Sequence, residues 1–429
     1  MRELRLWPRG GLWRHPDFLR LWSAQTISQF GSQISALALP LAAILVLDAS
    51  AFEVALLGTI EYLPFLLFAL PAGVWVDRLR RKPILVVADL LRGGLLASIP
   101  LAYALDALTI WQLYVVGFGT GVCTVFFDVA YQSYLPSLVD RGSLVDGNSK
   151  LEISRSGAQL AGPGLAGVLV GAITAPYAIL ADALSFLASA LLVVRIRAEE
   201  LLPERAAKPS MRRELAEGLR YLLGHRFWRP IAITVAISNF FSTLSFSIFL
   251  VYLVRDLDLS AQVIGIVLAL SNVGWVAGAV AAGRVSDRLG VGPTLVAAPL
   301  LFGPGLLLIP AAPQSQPIPF IVAGLIVATF GGIVFNVTGI SFQQAVVPDR
   351  MLGRLNATRR FIVWGVIPLG SLTGGVLASQ IGLRNTLWVG AILGSLSFLP
   401  ILFSPVRSIG PMEDAVREHT EVAVAAADA

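Results

Sequence analysis

The chain has 429 residues, of which 56% are hydrophobic and only 14% are charged, and its mean hydropathy is +0.75. Soluble globular domains carry charge on about a quarter of their residues, so this composition excludes a soluble protein and predicts many membrane spans. The single cysteine, Cys123, lies within an apolar run, which excludes a disulfide framework. The net charge of +5 would suit a nucleic-acid partner, but the placement of the basic residues predicts none.

Hydrophobic runs that could cross a bilayer, which takes roughly 20 mostly apolar residues, occur throughout the chain. They begin near Phe18, Val54, Pro83, Ala107, Val145, Pro176, Phe227, Gln262, Pro293, Pro317, Ala357 and Arg384. These runs predict an all-α membrane protein with 12 transmembrane helices, six in residues 18–194 and six in residues 227–405. The first run is too long for the core of a signal peptide, so we expect it to remain as the first helix.

Three further segments complete the predicted organisation. Residues 1–17 form an N-terminal segment, and residues 195–226 form a polar, basic linker between the halves. Residues 406–429 contain no spanning run, and we expect a disordered tail there. One side of a helical pattern in the linker is apolar, which predicts an amphipathic helix at the membrane surface; its apolar residues are Met211, Leu215, Leu219 and Leu222.

The distribution of Lys and Arg predicts the orientation of the chain. If both termini are cytoplasmic, all but three of the 32 Lys and Arg residues lie on the cytoplasmic side. The exceptions are Arg255 and Arg384 on the outer side and Arg92 within a span. Cytoplasmic segments of membrane proteins carry an excess of basic residues. The pattern therefore predicts a multi-pass protein of the cell membrane with cytoplasmic termini, and it explains the basic composition as topology.

The two halves repeat each other in sequence, which predicts duplicated structural units. A Gly-x-x-x-Asp-Arg element follows the second predicted helix of each half, and a glycine series runs through the fifth. The first element, Gly73, Asp77 and Arg78, recurs 210 residues later as Gly283, Asp287 and Arg288. The glycine series Gly157, Gly162 and Gly167 recurs 208 residues later as Gly365, Gly370 and Gly375.

Two six-helix halves with this loop element resemble the major facilitator superfamily, from about Phe18 to Pro405. The loop motif of that family, Gly-x-Leu-Ala-Asp-Arg-x-Gly-Arg-Lys, is matched at Gly73, Asp77, Arg78, Arg81 and Lys82; in the second half Gly283, Asp287 and Arg288 match, but the closing basic pair is absent. The resemblance implies the major facilitator fold, with the halves in parallel pseudo-repeat. It also implies that the motif forms an inner gate, in which Asp77 faces a helix of the other half.

A second motif narrows the resemblance. The run on helix five that contains Gly157, Gly162, Pro163, Gly164 and Gly167 is similar to the Gly-Pro-rich motif of drug:proton antiporters. The runs Ala88–Arg92 on helix three and Ala181–Phe186 on helix six resemble the third drug:proton antiporter group, which includes macrolide and siderophore exporters. These similarities imply export. The sequence departs from many drug antiporters because helix four lacks their Arg and carries Asp128 instead.

Polar side chains repeat on one face of several predicted helices, and lipid does not suit such a face. On helix four, steps of four residues align the polar side chains. The candidates for lining a cavity are Gln25, Gln29, Thr120, Thr124, Gln132, Asn239, Ser242, Asn336 and Gln343. The alternative is that these residues form hydrogen bonds between packed helices.

Ionisable residues within spans are the strongest functional candidates, because a charge at the bilayer centre costs at least about 3 kcal/mol. Glu61, deep in helix two, has no cationic neighbour on its own helix and is a candidate for proton coupling, the alternative being a permanently protonated structural residue. Asp128 is the second candidate, and Asn336 occupies its place in the second half. Asp89 and Arg92, three residues apart on helix three, are expected to form a structural ion pair.

These patterns predict a secondary active transporter that exports an amphiphilic small molecule by proton antiport. The alternative is an exporter or flippase of an endogenous siderophore or lipid without strict proton coupling. An intramembrane enzyme is the rival class, but the spans contain no His, no His-Glu-x-x-His and no Gly-x-Ser-x-Gly. We expect no cofactor, no metal and no nucleic acid. The expected partners are a small-molecule substrate, protons and membrane lipids, and the expected state is a monomer.

Overall fold

A computed structural model describes residues 11–76, 78–198, 200, 219–220, 222–347 and 349–412. All regular structure in these residues is helical. The helices of the first half are α1 Pro16–Leu45, α2 Ala51–Val76, α3 Arg81–Ala104, α4 Ile110–Leu138, α5 Leu144–Ile173 and α6 Ala175–Val194. Those of the second half are α7 Trp228–Arg255, α8 Ala261–Leu289, α9 Val291–Ala311, α10 Pro317–Val346, α11 Asp349–Ile381 and α12 Leu383–Ser395, which a 3-10 turn and α13 Leu399–Leu402 continue.

In the described part of the chain, eleven helices, with α12 and its continuation taken as one, are long and apolar enough to cross a membrane. The exception is α11, whose apolar part is shorter and covers Gly365–Ile381. This helix begins at Asp349 rather than near Ala357 as predicted, because its first turns are polar and basic and carry no hydropathy signal. Arg359 and Arg360, which follow the predicted start, therefore lie about three turns inside the helix.

The chain divides into two compact units, and the start of one helix from each half belongs to the unit of the other half. The first unit comprises 1–49, 60–206 and 260–269, and the second comprises 50–59, 207–259 and 270–429. The first turns of α2 thus belong to the second unit, and the first turns of α8 belong to the first. A division at the predicted linker would instead assign each helix as a whole to one half. Hydropathy along the chain does not show which helix ends pack together.

In the first unit, α6 packs against both α1 and α3, and α5 packs against α1. Its apolar core includes the fully buried side chains of Phe18, Leu21, Leu85 and Tyr134. In the second unit, α9 packs against α10, and α7 packs against α11 and α12. The packing of α1 against α5 and α6 thus recurs as the packing of α7 against α11 and α12, because the second half repeats the sequence pattern of the first.

The first residues of the predicted tail are ordered and belong to the second unit. Val406 is fully buried, and Ile409 joins the same core. The backbone carbonyls of Ile409 and Gly410 accept hydrogen bonds from the N–H groups of Gly292 and Val291, at 2.9 and 3.0 Å. These N–H groups have no partner within α9 because they lie in its first turn. The expectation of disorder from residue 406 onward is therefore wrong for 406–410, while residues from 413 onward lie outside the described residues.

The predicted linker lies mostly outside the described residues, including Met211 and Leu215 of its amphipathic pattern. Of the other two apolar residues in that pattern, Leu222 is buried and joins the core of the second unit, whereas Leu219 is exposed. The amphipathic helix remains a prediction.

Candidate functional site

The polar face of α4 becomes more exposed from the middle of the helix toward its C-terminal end. Thr120 and Thr124 are half-buried, and their hydroxyls donate to backbone carbonyls one turn earlier, each at 2.8 Å. Asp128 and Gln132 are exposed. Asp128 has neither a hydrogen bond nor an ion pair within the described part of the chain. An exposed carboxylate in a membrane span fits a water-filled cavity better than contact with lipid.

The other cavity candidates fall into two classes. Gln29, Asn239 and Ser242 are half-buried, and Asn336 is exposed. Gln25 and Gln343 are each only 5% exposed, so both side chains are buried.

Glu61 lies in α2, where this helix makes a close backbone contact with α4. A Cβ atom added to Gly121 of α4 would lie 2.7 Å from the carbonyl oxygen of Glu61. The Glu61 side chain is half-buried, and no hydrogen bond or ion pair to it is found among the described residues. A carboxyl group without a partner in such a place can bind and release a proton without breaking a salt bridge.

Asp89 and Arg92 of α3 form an ion pair that is buried from solvent. The second carboxylate oxygen of Asp89 accepts a hydrogen bond from Ser189 of α6 at 2.6 Å. The guanidinium carbon of Arg92 lies 4.2 Å from the ring centroid of Phe127 and 4.1 Å from that of Phe186. These rings fix the orientation of the guanidinium and replace part of its hydration by cation–π contact.

The loop motif after α2 is anchored to the chain that follows α6. The carboxylate of Glu200 accepts hydrogen bonds from the N–H groups of Arg81 and Lys82, at 2.7 and 3.2 Å, and pairs with the Arg81 side chain at 3.3 Å. The Lys82 ammonium donates to the Ile196 carbonyl at 2.6 Å. Glu200 thus caps the N-terminus of α3, where a negative charge is favourable. Sequence reasoning missed Glu200 because it lies in the linker, far from the motif along the chain.

The described charged residues among the rest of both loop motifs are exposed. Asp77 lies outside the described residues, and Arg78 is exposed. In the second copy, Asp287 and Arg288 are exposed as well. A Cβ atom at Gly73 or Gly283 would meet nothing within 4 Å, so space alone does not require glycine at these positions.

The glycines of the helix-five motif differ in what surrounds them. A Cβ atom at Gly167 would lie 2.6 Å from the Ala261 carbonyl oxygen and 2.7 Å from the Gly265 Cα atom, both in the first turns of α8. A Cβ atom at Gly265 would in turn lie 2.6 Å from the Pro163 carbonyl oxygen. The remaining glycines are less uniform: at Gly162 the added atom would clash with Gln33, at Gly164 it would make ordinary contact with Ala269, and at Gly157 it would meet nothing within 4 Å.

Comparison with known proteins identifies the family. Residues 12–427 match the family of the major facilitator superfamily described as transmembrane secretion effectors. The chain belongs to this family. It is therefore an efflux transporter of the major facilitator type and a multi-pass protein of the plasma membrane, as the sequence predicts.

Two relatives of this transporter are efflux proteins. It is 26% identical over 391 residues to the multidrug efflux pump Tap of Mycolicibacterium fortuitum, covering 87% of this chain and 91% of that protein. It is 21% identical over 401 residues to macrolide efflux protein A of Streptococcus pyogenes, covering 91% of this chain and 97% of that protein.

Solved transporter structures share the fold. A bacterial homologue of the iron transporter ferroportin in an inward-facing state superposes with a TM-score of 0.72 at 16% identity, covering 92% of this transporter and 99% of that chain. The nucleoside transporter NupG superposes with a TM-score of 0.71 at 12% identity, covering 90% and 99%. At these identities the likeness concerns the fold alone. Among the described residues, no group of three or more His, Cys, Asp and Glu side chains could hold a metal ion.

Proposed function

We propose that this efflux transporter exports an amphiphilic small molecule in exchange for protons. The observation that carries the proposal is Glu61, an unpaired, half-buried carboxyl group within a membrane span of the first unit. Protons that enter from outside would neutralise Glu61, and deprotonation at the inner side would allow the carboxylate to attract a cationic group of the cargo. The efflux relatives support the direction of transport.

Asp128 is the second proposed coupling residue. Its exposed carboxylate lies on α4, on the same face as Thr120, Thr124 and Gln132. The corresponding residue of the second half is Asn336, which cannot titrate. We place proton binding in the first half for this reason, while Asn239, Ser242 and Asn336 of the second half offer only neutral polar contacts to the cargo.

Proteoliposomes with an internal pH dye test the proposal directly. Cationic and neutral amphiphiles are added with and without an imposed proton gradient, and dye and cargo are recorded together. We expect cargo-dependent proton flux that is lost in Glu61→Gln, because the amide cannot carry a proton. The matched control is Glu53→Gln on the same helix, which changes a carboxyl group that caps the helix through Ser50. It should retain the flux.

Two outcomes would contradict the proposal. Proton flux that persists in Glu61→Gln would remove Glu61 from the coupling step. Cargo movement without any proton flux in the unmodified transporter would instead favour the alternative, an exporter or flippase without strict proton coupling.

The loop motif is proposed to form the inner gate. The anchoring of Arg81 and Lys82 by Glu200 fixes the start of α3 against the end of α6, so that a contact made by Asp77 would act on a rigid element. Asp77→Asn should slow export while cargo binding in detergent stays unchanged, because the gate acts on cycling. An unchanged export rate would refute this role.

A further inference from the structure

We propose that Asp182 of α6 is a further proton-binding site besides Glu61 and Asp128, buried in the first unit at a notch in α1. The carboxyl group is 2% exposed and lies within a membrane-spanning helix. Its role in export depends on the proposed proton antiport, but its protonation does not depend on any cargo.

The notch is made by Gly31. A Cβ atom at this position would lie 2.5 Å from a carboxylate oxygen of Asp182 and would also clash with the Ser185 side chain. The carboxyl group is therefore pressed against the backbone of α1, with no room for water on that side. Its other contacts are hydroxyl groups: Ser185 donates to it at 3.0 Å, and Ser35 of α1 lies beside it.

The nearby cation is committed to another carboxylate. The charge of Arg92 reaches Asp182, but its guanidinium is paired with Asp89, contacts Thr124 at 3.5 Å, and packs against two aromatic rings. No ion pair of Asp182 occurs within the described ranges. One cation thus balances one of two buried carboxylates, and the second is neutral only if it carries a proton.

The second half of the chain provides an internal control. Gly93 of α3 contacts Leu187 of α6, and the copies Gly303 and Ser395, at offsets of 210 and 208, contact each other in the same way. The two offsets therefore relate equivalent positions in these helices.

At those offsets the second half lacks the polar cluster formed by Asp89, Arg92 and Asp182. Asp89, Arg92 and Asp182 correspond to Pro299, Phe302 and Gly390, while Gly31 corresponds to Phe241. A Cβ atom at Gly390 would clash with Ser245, the counterpart of Ser35, and would lie 3.4 Å from the Phe241 carbonyl oxygen. In the second half the glycine lies on α12, the counterpart of α6, and not on α7, the counterpart of α1. These helices pack without an acid at this position. Packing of the repeat therefore does not require Asp182.

Polar groups connect the cluster to the exposed face of α4. Arg92 contacts Thr124, and Asp128 lies one turn further along the same helix. When the O–H bond of Asp182 breaks, the proton passes to water and the carboxylate remains, stabilised by the Ser185 hydroxyl and the charge of Arg92. Among the described residues, the titratable groups whose charge acts on Asp182 are Asp89 and Arg92 of α3, and the neighbouring hydroxyl groups are those of Ser35 in α1 and Ser185 in its own helix.

Infrared spectroscopy of the full-length transporter in lipid nanodiscs tests this assignment without cargo. The carbonyl band of protonated carboxyl groups is followed as the pH is raised, in a Glu61→Gln background that removes the unpaired, half-buried carboxyl group of α2. We expect a protonated-carboxyl band that titrates in Glu61→Gln and is lost when Asp182→Asn is added. A band of unchanged intensity in the double variant would overturn the proposal.

A pair of serine variants keeps the test valid if Asp182→Asn fails to fold. Ser185→Ala removes the hydroxyl that donates to Asp182, and Ser189→Ala, four residues further along α6, removes the one that donates to Asp89. We expect Ser185→Ala to shift the frequency and titration midpoint of the band, and Ser189→Ala to leave both nearly unchanged. Equal spectra for the two variants would overturn the proposal.

Failure of the proposed antiport has a different signature. In that case unmodified proteoliposomes show no cargo-dependent proton flux, although the Asp182 band can still titrate. Loss of cargo-dependent proton flux in Asp182→Asn, with cargo binding retained in detergent, would show that the Asp182 proton takes part in export.

Discussion

At the residue scale, the same cap is built by different chemistry in the two halves. In the first half the Glu200 carboxylate and the Lys82 ammonium connect the start of α3 to the chain after α6. Position 292, the counterpart of Lys82, is glycine, and a Cβ atom there would clash with the carbonyl oxygen of Val406, which lies in the chain after α13. The glycine lets the two backbones meet directly. In the second half, backbone carbonyls accept the hydrogen bonds from the first turn of α9, and the basic pair of the motif is absent.

Glu200→Ala should destabilise the first half by about 0.5–2 kcal/mol, the usual cost of losing an N-terminal cap. The carboxylate is almost fully buried and receives two backbone N–H groups, so its removal leaves these donors unsatisfied. Thermal unfolding in detergent measures the effect. The control is Glu152→Ala, which removes an exposed pair with Arg155 at 3.7 Å and should change the midpoint little. Equal shifts for the two variants would refute the capping role.

At the element scale, the helices were largely predictable, and the contacts between them were not. Each apolar run is long enough to define a span, so predicted and observed starts agree within about three residues for all helices but α11. Hydropathy could not reveal that Gln25 and Gln343 are buried, or that Gly157 faces open space while Gly167 abuts α8. Such facts depend on which helix lies opposite, and a repeat motif does not encode that.

The helix-five motif offers a test of this difference. Gly167→Ala should disrupt the contact between α5 and the first turns of α8, because the methyl group would meet backbone atoms, which cannot rotate away. We expect a lower unfolding temperature and slower export. Gly157→Ala, in the same motif, should leave both nearly unchanged or increase stability slightly, since alanine favours helix by up to about 1 kcal/mol. Similar losses in both variants would mean that the motif acts through helix flexibility and not through packing.

At the scale of the whole molecule, charge is distributed unequally between the halves. The carboxyl groups deep in the spans, Glu61, Asp89, Asp128 and Asp182, and the cation Arg92 all lie in the first half. The two halves repeat a similar sequence of helices, but these acids lie in the first half. This asymmetry could be predicted from the sequence alone. The structure was needed to show that Arg92 pairs with Asp89, whereas Asp182 accepts a hydrogen bond from Ser185.

The orientation of the molecule is the last prediction, and the chain is suited to testing it. Its one native cysteine, Cys123, is buried, so a single introduced cysteine can be labelled against little background. Ala107 and Arg80 are exposed in the connections at opposite ends of α3. The excess of Lys and Arg in the connections on the same side as Arg80 predicts that this end is cytoplasmic. A membrane-impermeant maleimide should therefore label Ala107→Cys but not Arg80→Cys in intact cells, and the reverse should hold in inverted vesicles. The opposite pattern would place both termini outside and would reverse the direction of the proposed proton exchange.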